Sequence, residues 1–379
     1  MEKLEDFLER KGYEWEALLP EFPGLMALDE TAQDPEYHGE GSVLEHTKRV
    51  CRAVVSGTEW KNLNKRDRAV LYMAAMYHDI GKKSRTMQDP SGRIISPGHA
   101  IAGAKAFREV CYRELEGRFQ IPFSMREETA WLIRYHGLPL LFMEKADPSY
   151  DLIRAAESVS LPLLYQLGRS DVQGRVCSDQ KNALETTEYF KTYAGELGCY
   201  GKKISFANEY TRFSYFEKRD LWYGDRLYDA SEFDVYVMAG LPLAGKDRYI
   251  SEELAGFPVV SLDAIRAEMG IRPDEPSGPV AAEARERAKV YLRAKTPFVW
   301  NATNLILDNR QKVCRMCAAY GARVNLKYLE MPYAEILKRN MIRDRSVPVD
   351  VINRMIHKMD MAECVEAYRT NYLAGGTQR

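Results

Sequence analysis

The histidines of this sequence are concentrated in one region, with five of the six between positions 38 and 136. At the centre of the set, His78 and Asp79 are adjacent at the end of an apolar helical stretch. Adjacent residues of a helix point in different directions, so this pair shares a metal only where the backbone is locally positioned for it. With His46 on an earlier helix and Asp171 further on, the pair offers nitrogen and oxygen ligands suited to Mn, Fe, Co, Ni or Zn.

Two further histidines, His99 beside a Pro-Gly pair and His136 before a glycine, are candidates for a second ion. Two ions would clamp a phosphoryl group and activate a water molecule for in-line attack. A single histidine is more often a core or surface residue with satisfied hydrogen bonds, and this is the interpretation we favour for His38. The set as a whole predicts a metal site for phosphoryl chemistry.

A glycine-rich sequence from Gly240 to Asp247 follows a β-type run and precedes a helical stretch. Its spacing is that of a Walker A loop in the strand–loop–helix context that the motif requires. Backbone N–H groups there would bind phosphates, and Lys246 would reach between the β- and γ-phosphates of an NTP. Asp247 replaces the usual Ser or Thr ligand of Mg²⁺, and a carboxylate can hold this ion directly or through water. The expected nucleotide-binding residues of the loop are Gly240, Gly245, Lys246 and Asp247.

Two later segments carry groups suited to phosphoryl transfer. Asp263, at the end of a second β-type run, could accept a proton from an attacking hydroxyl, or it could cap the next helix. Arg266 lies on the same helical side and could hold an anionic group of the acceptor. The basic sequence from Lys338 to Pro348 predicts a mobile lid whose arginines close on the transferring phosphates, with a solvated basic face as the alternative.

The periodicity of apolar residues divides the chain into three parts. Residues 1–190 follow helical spacing and predict an all-α domain. Residues 191–232, rich in aromatics, predict a structured connector whose rings pack on the next domain, with a base-stacking surface as the alternative. Residues 233–379 alternate β-type runs with amphipathic helices and predict an α/β domain with a parallel sheet. The predicted strands are Val235–Ala239, Phe257–Leu262, Phe298–Trp300 and Arg323–Leu329.

Composition limits the class of protein. A net charge of −1 excludes a broadly basic surface, so a nucleic-acid substrate would be held by local Lys and Arg clusters. The acidic N-terminus predicts no signal peptide, and the apolar stretch Ala69–Tyr77 is too short to span a bilayer. Seven scattered cysteines indicate free thiols in a reducing compartment, which favours the cytoplasm. No membrane partner is expected. The CxxC at Cys314 and Cys317 lacks a second ligand pair, so a zinc or redox role is the weaker interpretation.

The residues of the histidine set resemble the HD phosphohydrolase superfamily, whose signature is H…HD…D. His46, His78, Asp79 and Asp171 match that signature one by one. The resemblance implies that these four residues ligate metal and that Asp79 is central to catalysis. It also implies that His99 and His136 are the extra ligands of the two-metal branch, and that Lys82 contacts the substrate phosphate.

Residues 234–360 resemble the 5′-OH polynucleotide kinase branch of P-loop phosphotransferases. The matching pieces are the Gly-x4-Gly-Lys loop, the SLDxxR sequence, the WNATN segment and the RNxxRxRxVP lid. The resemblance implies an NTP, bound with Mg²⁺, as phosphate donor. It implies Asp263 as general base and Arg266 as the contact to the phosphate next to the 5′-OH. The lid residues that it assigns to the NTP phosphates are Arg339, Arg343 and Arg345.

The whole architecture is similar to bacterial fusions of an HD domain with a polynucleotide kinase, which heal broken RNA or DNA ends. The HD half would remove 2′,3′-cyclic phosphate, 2′-phosphate or 3′-phosphate, and the kinase half would phosphorylate a 5′-OH. A nucleic-acid ligase is a further partner that this function suggests. Two alternatives stay open: the kinase acts on a nucleoside or other small molecule, or the P-loop half senses nucleotide and regulates the hydrolase without transferring phosphate.

Overall fold

The computed structural model describes residues 1–272, 275–343 and 346–375. The chain forms two compact units, Met1–Ile204 and Ser205–Arg379. The segment from 191 to 232, predicted to be a connector, contributes residues to both. No helix in the part of the chain that the structure describes is long and apolar enough to cross a membrane.

The first unit is helical. Its helices are α1 (Leu4–Arg10), α2 (Trp15–Leu18), α3 (Val43–Ser56), α4 (Lys65–Tyr77), α5 (Lys82–Arg85), α6 (His99–Val110), α7 (Phe123–Tyr135), α8 (Leu138–Leu141), α9 (Pro148–Ser158), α10 (Leu161–Gly174) and α11 (Gln180–Glu196). Its strands are two residues each: β1 (Glu2–Lys3), β2 (Met87–Gln88), β3 (Ile94–Ile95) and β4 (Phe119–Gln120). β1 pairs with β4 and β2 with β3. The predicted all-α character of this region is confirmed.

Helix α4 is the centre of this unit. The Asn64 side chain caps its start by accepting the Asp67 N–H at 2.9 Å, and every residue from Ala69 to Tyr77 is buried. A helix that is apolar on all sides is surrounded by other elements, and α3, α7 and α10 pack around this one. His78 and Asp79 follow its C-terminal end and therefore lie where several helices meet.

Gly81, two residues after Asp79, permits a backbone-to-backbone approach. A Cβ atom at this position would lie 2.1 Å from the carbonyl oxygen of His99 and 2.5 Å from the nitrogen of Gly103. Only glycine therefore lets α6 approach the end of α4 this closely, and this approach brings His99 to Asp79.

The second unit contains a five-stranded parallel sheet. Its helices are α12 (Glu209–Lys218), α13 (Lys246–Glu253), α14 (Leu262–Glu268), α15 (Gly278–Arg293), α16 (Leu307–Ala319), α17 (Tyr333–Met341) and α18 (Val349–Lys358). Its strands are β5 (Phe233–Ala239), β6 (Val259–Ser261), β7 (Phe298–Asn301), β8 (Ala322–Glu330) and β9 (Arg369–Ala374). The strand order is β6-β7-β5-β8-β9, with every pair parallel. The predicted α/β domain is confirmed, and β9 is a fifth strand that the sequence did not reveal.

Helix α12, from the predicted connector, packs on the C-terminal part of the same unit. Arg212 donates to the carbonyl oxygens of Cys364 at 3.2 Å and Tyr368 at 3.1 Å. The rings of Phe213, Tyr215 and Phe216 are buried, whereas those of Trp222 and Tyr228 are exposed. Most of the aromatic side chains of α12 are thus used in packing, and two rings of the following segment face solvent.

A buried ion pair joins two loops beside the sheet. Arg310 on α16 makes a bidentate contact with Glu366, at 2.6 and 2.9 Å, and both side chains are almost fully buried. The same guanidinium donates to four carbonyl oxygens, those of Asn304, Leu305, Asp360 and Met361. Arg310 therefore fixes the segment after β7 to the segment before β9.

This pair predicts a large effect on stability. Replacing Arg310 by Met leaves the Glu366 carboxylate buried without its partner, so the second unit should lose about 3–5 kcal/mol of its free energy of unfolding. Urea denaturation followed by hydrogen exchange of β5 and β8 peptides measures this loss. The matched control is Arg315→Met on the same helix, since its pair with Glu217 is partly exposed and should be worth less than about 1 kcal/mol. Equal losses in the two variants would contradict the assignment.

Candidate functional site

Three histidines of the first unit are oriented by the same backbone device. His78, His99 and His136 each place Nδ1 at 2.8 Å from the carbonyl oxygen three residues earlier. A carbonyl oxygen can only accept a hydrogen bond, so Nδ1 carries a proton, and in the neutral ring Nε2 then has the lone pair. This is the tautomer in which a histidine ligates a metal through Nε2.

The Asp79 carboxylate lies between two pairs of imidazoles. Its Oδ2 is 3.3 Å from His78 Nε2 and 3.9 Å from His46 Nε2. Its Oδ1 is 3.4 Å from His99 Nε2 and 3.8 Å from His136 Nε2. Within each group of three residues the ligand atoms lie within 4.8 Å of one another. One buried carboxylate is thus shared by two candidate metal positions.

The chemistry of these atoms fits metal ions. Among the described residues, His78 Nε2 and Asp79 Oδ1 are buried and make no hydrogen bond. The Nε2 atoms of His99 and His136 face each other at 3.3 Å, although both are acceptors in the tautomer set by the backbone. Burial, together with His99 and His78, lowers the pKa of His136 to about 3, so this ring stays neutral. Divalent cations would satisfy all of these lone pairs, and this donor set suits transition metals.

Asp171 on α10 adds a second carboxylate to the group formed by His46, His78 and Asp79. Its Oδ1 is 3.0 Å from His46 Nε2, and its Oδ2 is 2.7 Å from Arg175, one turn later on the same helix. Burial alone would raise the pKa of Asp171, but Arg175 and His46 hold it well below its usual range. The carboxylate is therefore in the ionised form that ligates metal.

Lys82 lies directly against the centre. Its Nζ is 2.7 Å from Asp79 Oδ2 and donates to Gln33 Oε1 at 2.7 Å. Burial opposes ionisation of Asp79, yet Lys82 and the neighbouring histidines keep its pKa well below the usual range. The structure thus brings together all seven residues that the sequence nominated here: His46, His78, Asp79, Lys82, His99, His136 and Asp171.

Three supporting residues were missed by the sequence reasoning. Arg175 follows Asp171 by four residues on a helix, a spacing that could have suggested the pair. Gln33 and Glu40 lie in irregular segments before α3, and no local pattern connects them to the centre. Glu40 is 2.7 Å from His46 Nδ1.

The phosphate-binding loop of the second unit begins directly after β5. Gly240 has φ +140°, and a Cβ atom there would lie 2.2 Å from the carbonyl oxygen of Leu329. Gly245, with φ +96°, is the residue before α13, whose N-terminal N–H groups are suited to anions. Lys246 folds back so that Nζ donates to the carbonyl oxygens of Gly240 at 3.0 Å and Leu241 at 2.9 Å.

Charged groups around this loop shift the pKa of its lysine in both directions. Burial lowers the pKa of Lys246 to about 8, with Asp247 and Asp263 opposing the shift and Arg343 adding to it. The carboxylate of Asp247 accepts a hydrogen bond from the Asn301 amide at 2.8 Å. Asn301, the last residue of β7 and the second of the WNATN segment, thus orients the side chain that replaces the usual hydroxyl ligand of Mg²⁺.

The SLDxxR sequence, from Ser261 to Arg266, differs in one detail from its interpretation. Ser261 caps α14, because its hydroxyl accepts the Ala264 N–H at 3.3 Å, so the alternative role of Asp263 as the cap is wrong. Asp263 is exposed in the first turn of that helix. Arg266 donates to the carbonyl oxygen of Arg272 at 2.9 Å.

The segment predicted to be a lid begins at the end of α17. Arg339 donates to the carbonyl oxygen of Leu243 in the phosphate loop at 3.3 Å, and Arg343 is exposed just after the helix. The Asn340 side chain accepts the Val347 N–H at 2.8 Å and donates to the Val347 carbonyl oxygen at 2.7 Å, which fixes Val347 to the end of α17. Arg345, the third nominated arginine, lies outside the described residues.

The CxxC cysteines lie away from any such chemistry. Cys314 and Cys317 are buried in α16, and burial raises the pKa of Cys317 to about 12. None of the candidate metal groups found among the described residues contains a cysteine. The packing interpretation of this pair agrees with its surroundings.

Comparison with known families assigns the two halves of the chain. Residues 43–158 match the HD domain family, and residues 235–362 match an AAA domain family. The first range contains His46 to His136, and the second contains the phosphate-binding loop and the lid. No curated protein matches the chain. The chain therefore joins a helical HD domain to a kinase-like α/β P-loop domain.

The pKa of Lys246 predicts how nucleotide binding depends on pH. In the free protein this lysine loses its proton as the pH rises through about 8, whereas bound phosphates would raise its pKa again. ATP affinity should therefore fall above pH 8, and binding at pH 9 should take up most of one proton. Calorimetric titration in buffers of different ionisation enthalpy measures this uptake. Lys246→Arg, which stays charged, should remove it, and uptake that is absent in the parent protein at pH 9 would refute the prediction.

Proposed function

We propose that the chain is a bifunctional enzyme that heals nucleic-acid ends. The HD domain hydrolyses 2′,3′-cyclic phosphate, 2′-phosphate or 3′-phosphate ends, and the P-loop domain transfers the γ-phosphate of an NTP to a 5′-OH. The observation that carries this proposal is the presence, in one chain, of a shared-carboxylate metal centre and a phosphate loop with an acceptor carboxylate nearby. Its logic is chemical, since many breaks leave phosphate at the 3′ side and hydroxyl at the 5′ side, whereas a ligase needs the reverse.

In the HD half, His46, His78, Asp79 and Asp171 would hold one divalent ion, and Asp79, His99 and His136 would hold a second. When bound, such ions polarise a phosphoryl group and activate water. Lys82, 2.7 Å from Asp79, offers its ammonium to a phosphate oxygen at the reacting centre. The water oxygen forms the new bond to phosphorus, the ribose oxygen leaves, and that oxygen takes up a proton.

In the P-loop half, Asp263 accepts the proton of the 5′-OH while the hydroxyl oxygen attacks the γ-phosphorus. The bond to the β-phosphate oxygen breaks, and the NTP leaves as NDP. Lys246, Arg339 and Arg343 offset the charge on the transferring group. Asp247, held by Asn301, is the carboxylate through which Mg²⁺ would join the nucleotide phosphates. Arg266 binds the phosphate next to the 5′-OH after releasing the carbonyl oxygen that it contacts here.

The test uses a short RNA or DNA strand with a 5′-OH and, in the RNA, a 2′,3′-cyclic phosphate. The protein is given ATP, Mg²⁺ and Mn²⁺, Co²⁺ or Ni²⁺ in turn, and both ends are read by mass spectrometry. The parent protein should add phosphate at the 5′ end and remove it at the other. Lys246→Ala should abolish only the first reaction and Asp79→Ala only the second, because the two sites use separate residues.

Each alternative gives a different pattern in the same assay. If nucleosides gain phosphate while oligonucleotides do not, the kinase acts on small molecules. If ATP binds and no acceptor is phosphorylated, while ATP changes the rate of the hydrolase, the P-loop domain is a sensor. Either pattern overturns the proposed function.

A further inference from the structure

Glu40 is a buried carboxylate outside the predicted set of metal ligands. It lies between Gly39 and Gly41, just before α3, and its side chain is fully buried. Its Oε1 is 2.7 Å from His46 Nδ1 and 2.9 Å from His38 Nδ1, and its Oε2 accepts the Val176 N–H at 2.8 Å. Two histidines and one backbone N–H group therefore converge on this carboxylate.

The backbone fixes Glu40 from both sides. The Gly39 N–H donates to the carbonyl oxygen of Val176 at 2.9 Å, and the Val176 N–H returns a bond to the Glu40 side chain. A Cβ atom at Gly39 would lie 2.9 Å from that same carbonyl oxygen, so a larger residue would push the segment away. The position of the carboxylate is thus set by the loop that follows α10, the helix that carries Asp171.

The contacts of His46 explain what this carboxylate does. His46 Nε2 faces the carboxylates of Asp171 and Asp79, which can only accept, and Nδ1 faces Glu40, which also only accepts. A neutral imidazole has one N–H to donate. Metal ligation through Nε2 requires this N–H to be on Nδ1, and Glu40 Oε1, 2.7 Å from that nitrogen, is placed to accept it.

We infer that Glu40 is a positioning residue for His46, which sets the tautomer and orientation of this ligand and strengthens binding of the ion held by His46, His78 and Asp79. The other three histidines of the centre use neutral carbonyl oxygens for this purpose, so His46 is the one ligand of the four whose partner is a charged group. His38 acts one step further out, because its Nδ1 contacts the same Glu40 oxygen. This inference rests on the proposed metal centre and requires nothing of its substrate.

The test measures metal binding in full-length protein stripped of metal. Mn²⁺ is titrated by calorimetry into the parent protein, Glu40→Gln and the control Glu36→Gln, which makes the same change at an exposed nearby glutamate. Glu40→Gln should weaken one of two Mn²⁺ ions by about 10–100-fold and leave the other within about twofold, because a partner of this kind supports a single ligand. Glu36→Gln should match the parent protein.

A second pair of measurements separates positioning from support of the fold. Thermal unfolding of the stripped proteins reports any loss of stability, and Glu40→Asp, which keeps the charge, should recover part of the Mn²⁺ affinity that Glu40→Gln loses. Equal affinity for both ions in Glu40→Gln overturns the inference, as does equal weakening of both ions together with a lower unfolding temperature. A third Mn²⁺ ion, bound by the parent and absent in Glu40→Gln, would show that His38, Glu40 and His46 form a metal site of their own.

Because Mn²⁺ affinity is read without nucleic acid, the result is independent of the proposed function. Unchanged affinity with active end repair would reject the role of Glu40 alone. Weakened binding with no action on either nucleic-acid end would support the role of Glu40 and reject the assigned substrate.

Discussion

The first unit depends on one buried carboxylate. Asp79 follows a helix that is buried from Ala69 to Tyr77, and the imidazoles of the adjacent His78 and of His46, His99 and His136 face its two oxygens. Three of these imidazoles donate from Nδ1 to a backbone carbonyl oxygen, and the Nδ1 of His46 lies 2.7 Å from Glu40, so each Nε2 is oriented as a metal ligand. The buried carboxylates of this centre carry negative charge that Lys82 and Arg175 offset only in part. The requirement to bring these groups together also accounts for Gly81, where no side chain fits.

The second unit has the opposite electrostatic character. Its phosphate loop presents backbone N–H groups, and it holds a lysine whose pKa is lowered by burial, with Arg339 and Arg343 close by. These groups favour an anion, in the same way that the HD centre favours cations. A site that binds cations is suited to metal-assisted removal of a phosphate, and a site that binds anions is suited to phosphate transfer from a nucleotide.

Much of this organisation could be predicted from sequence because it is written in local patterns. Strand and helix periodicity, the glycine spacing of the loop and the His-Asp pair all lie within short windows. Features that depend on distant partners could not be predicted. Glu40 meets His46 only through the loop after α10, and the partner of Arg310 lies near the C-terminal end of the chain. Strand β9, a sheet edge with partly polar sequence, lacks the apolar run that marked the other four.

Counting the metal ions that the centre retains tests the sharing of Asp79 by two metal positions most directly. Metal-stripped protein is dialysed against Mn²⁺, and bound metal is measured for the parent, Asp79→Asn, His99→Asn and the control Asp89→Asn, at a partly exposed carboxylate. If Asp79 is shared by two positions, the parent and the control bind a pair of ions, His99→Asn keeps one, and Asp79→Asn keeps neither. An Asp79→Asn protein that is folded and still retains an ion at full occupancy would contradict the central role of this carboxylate.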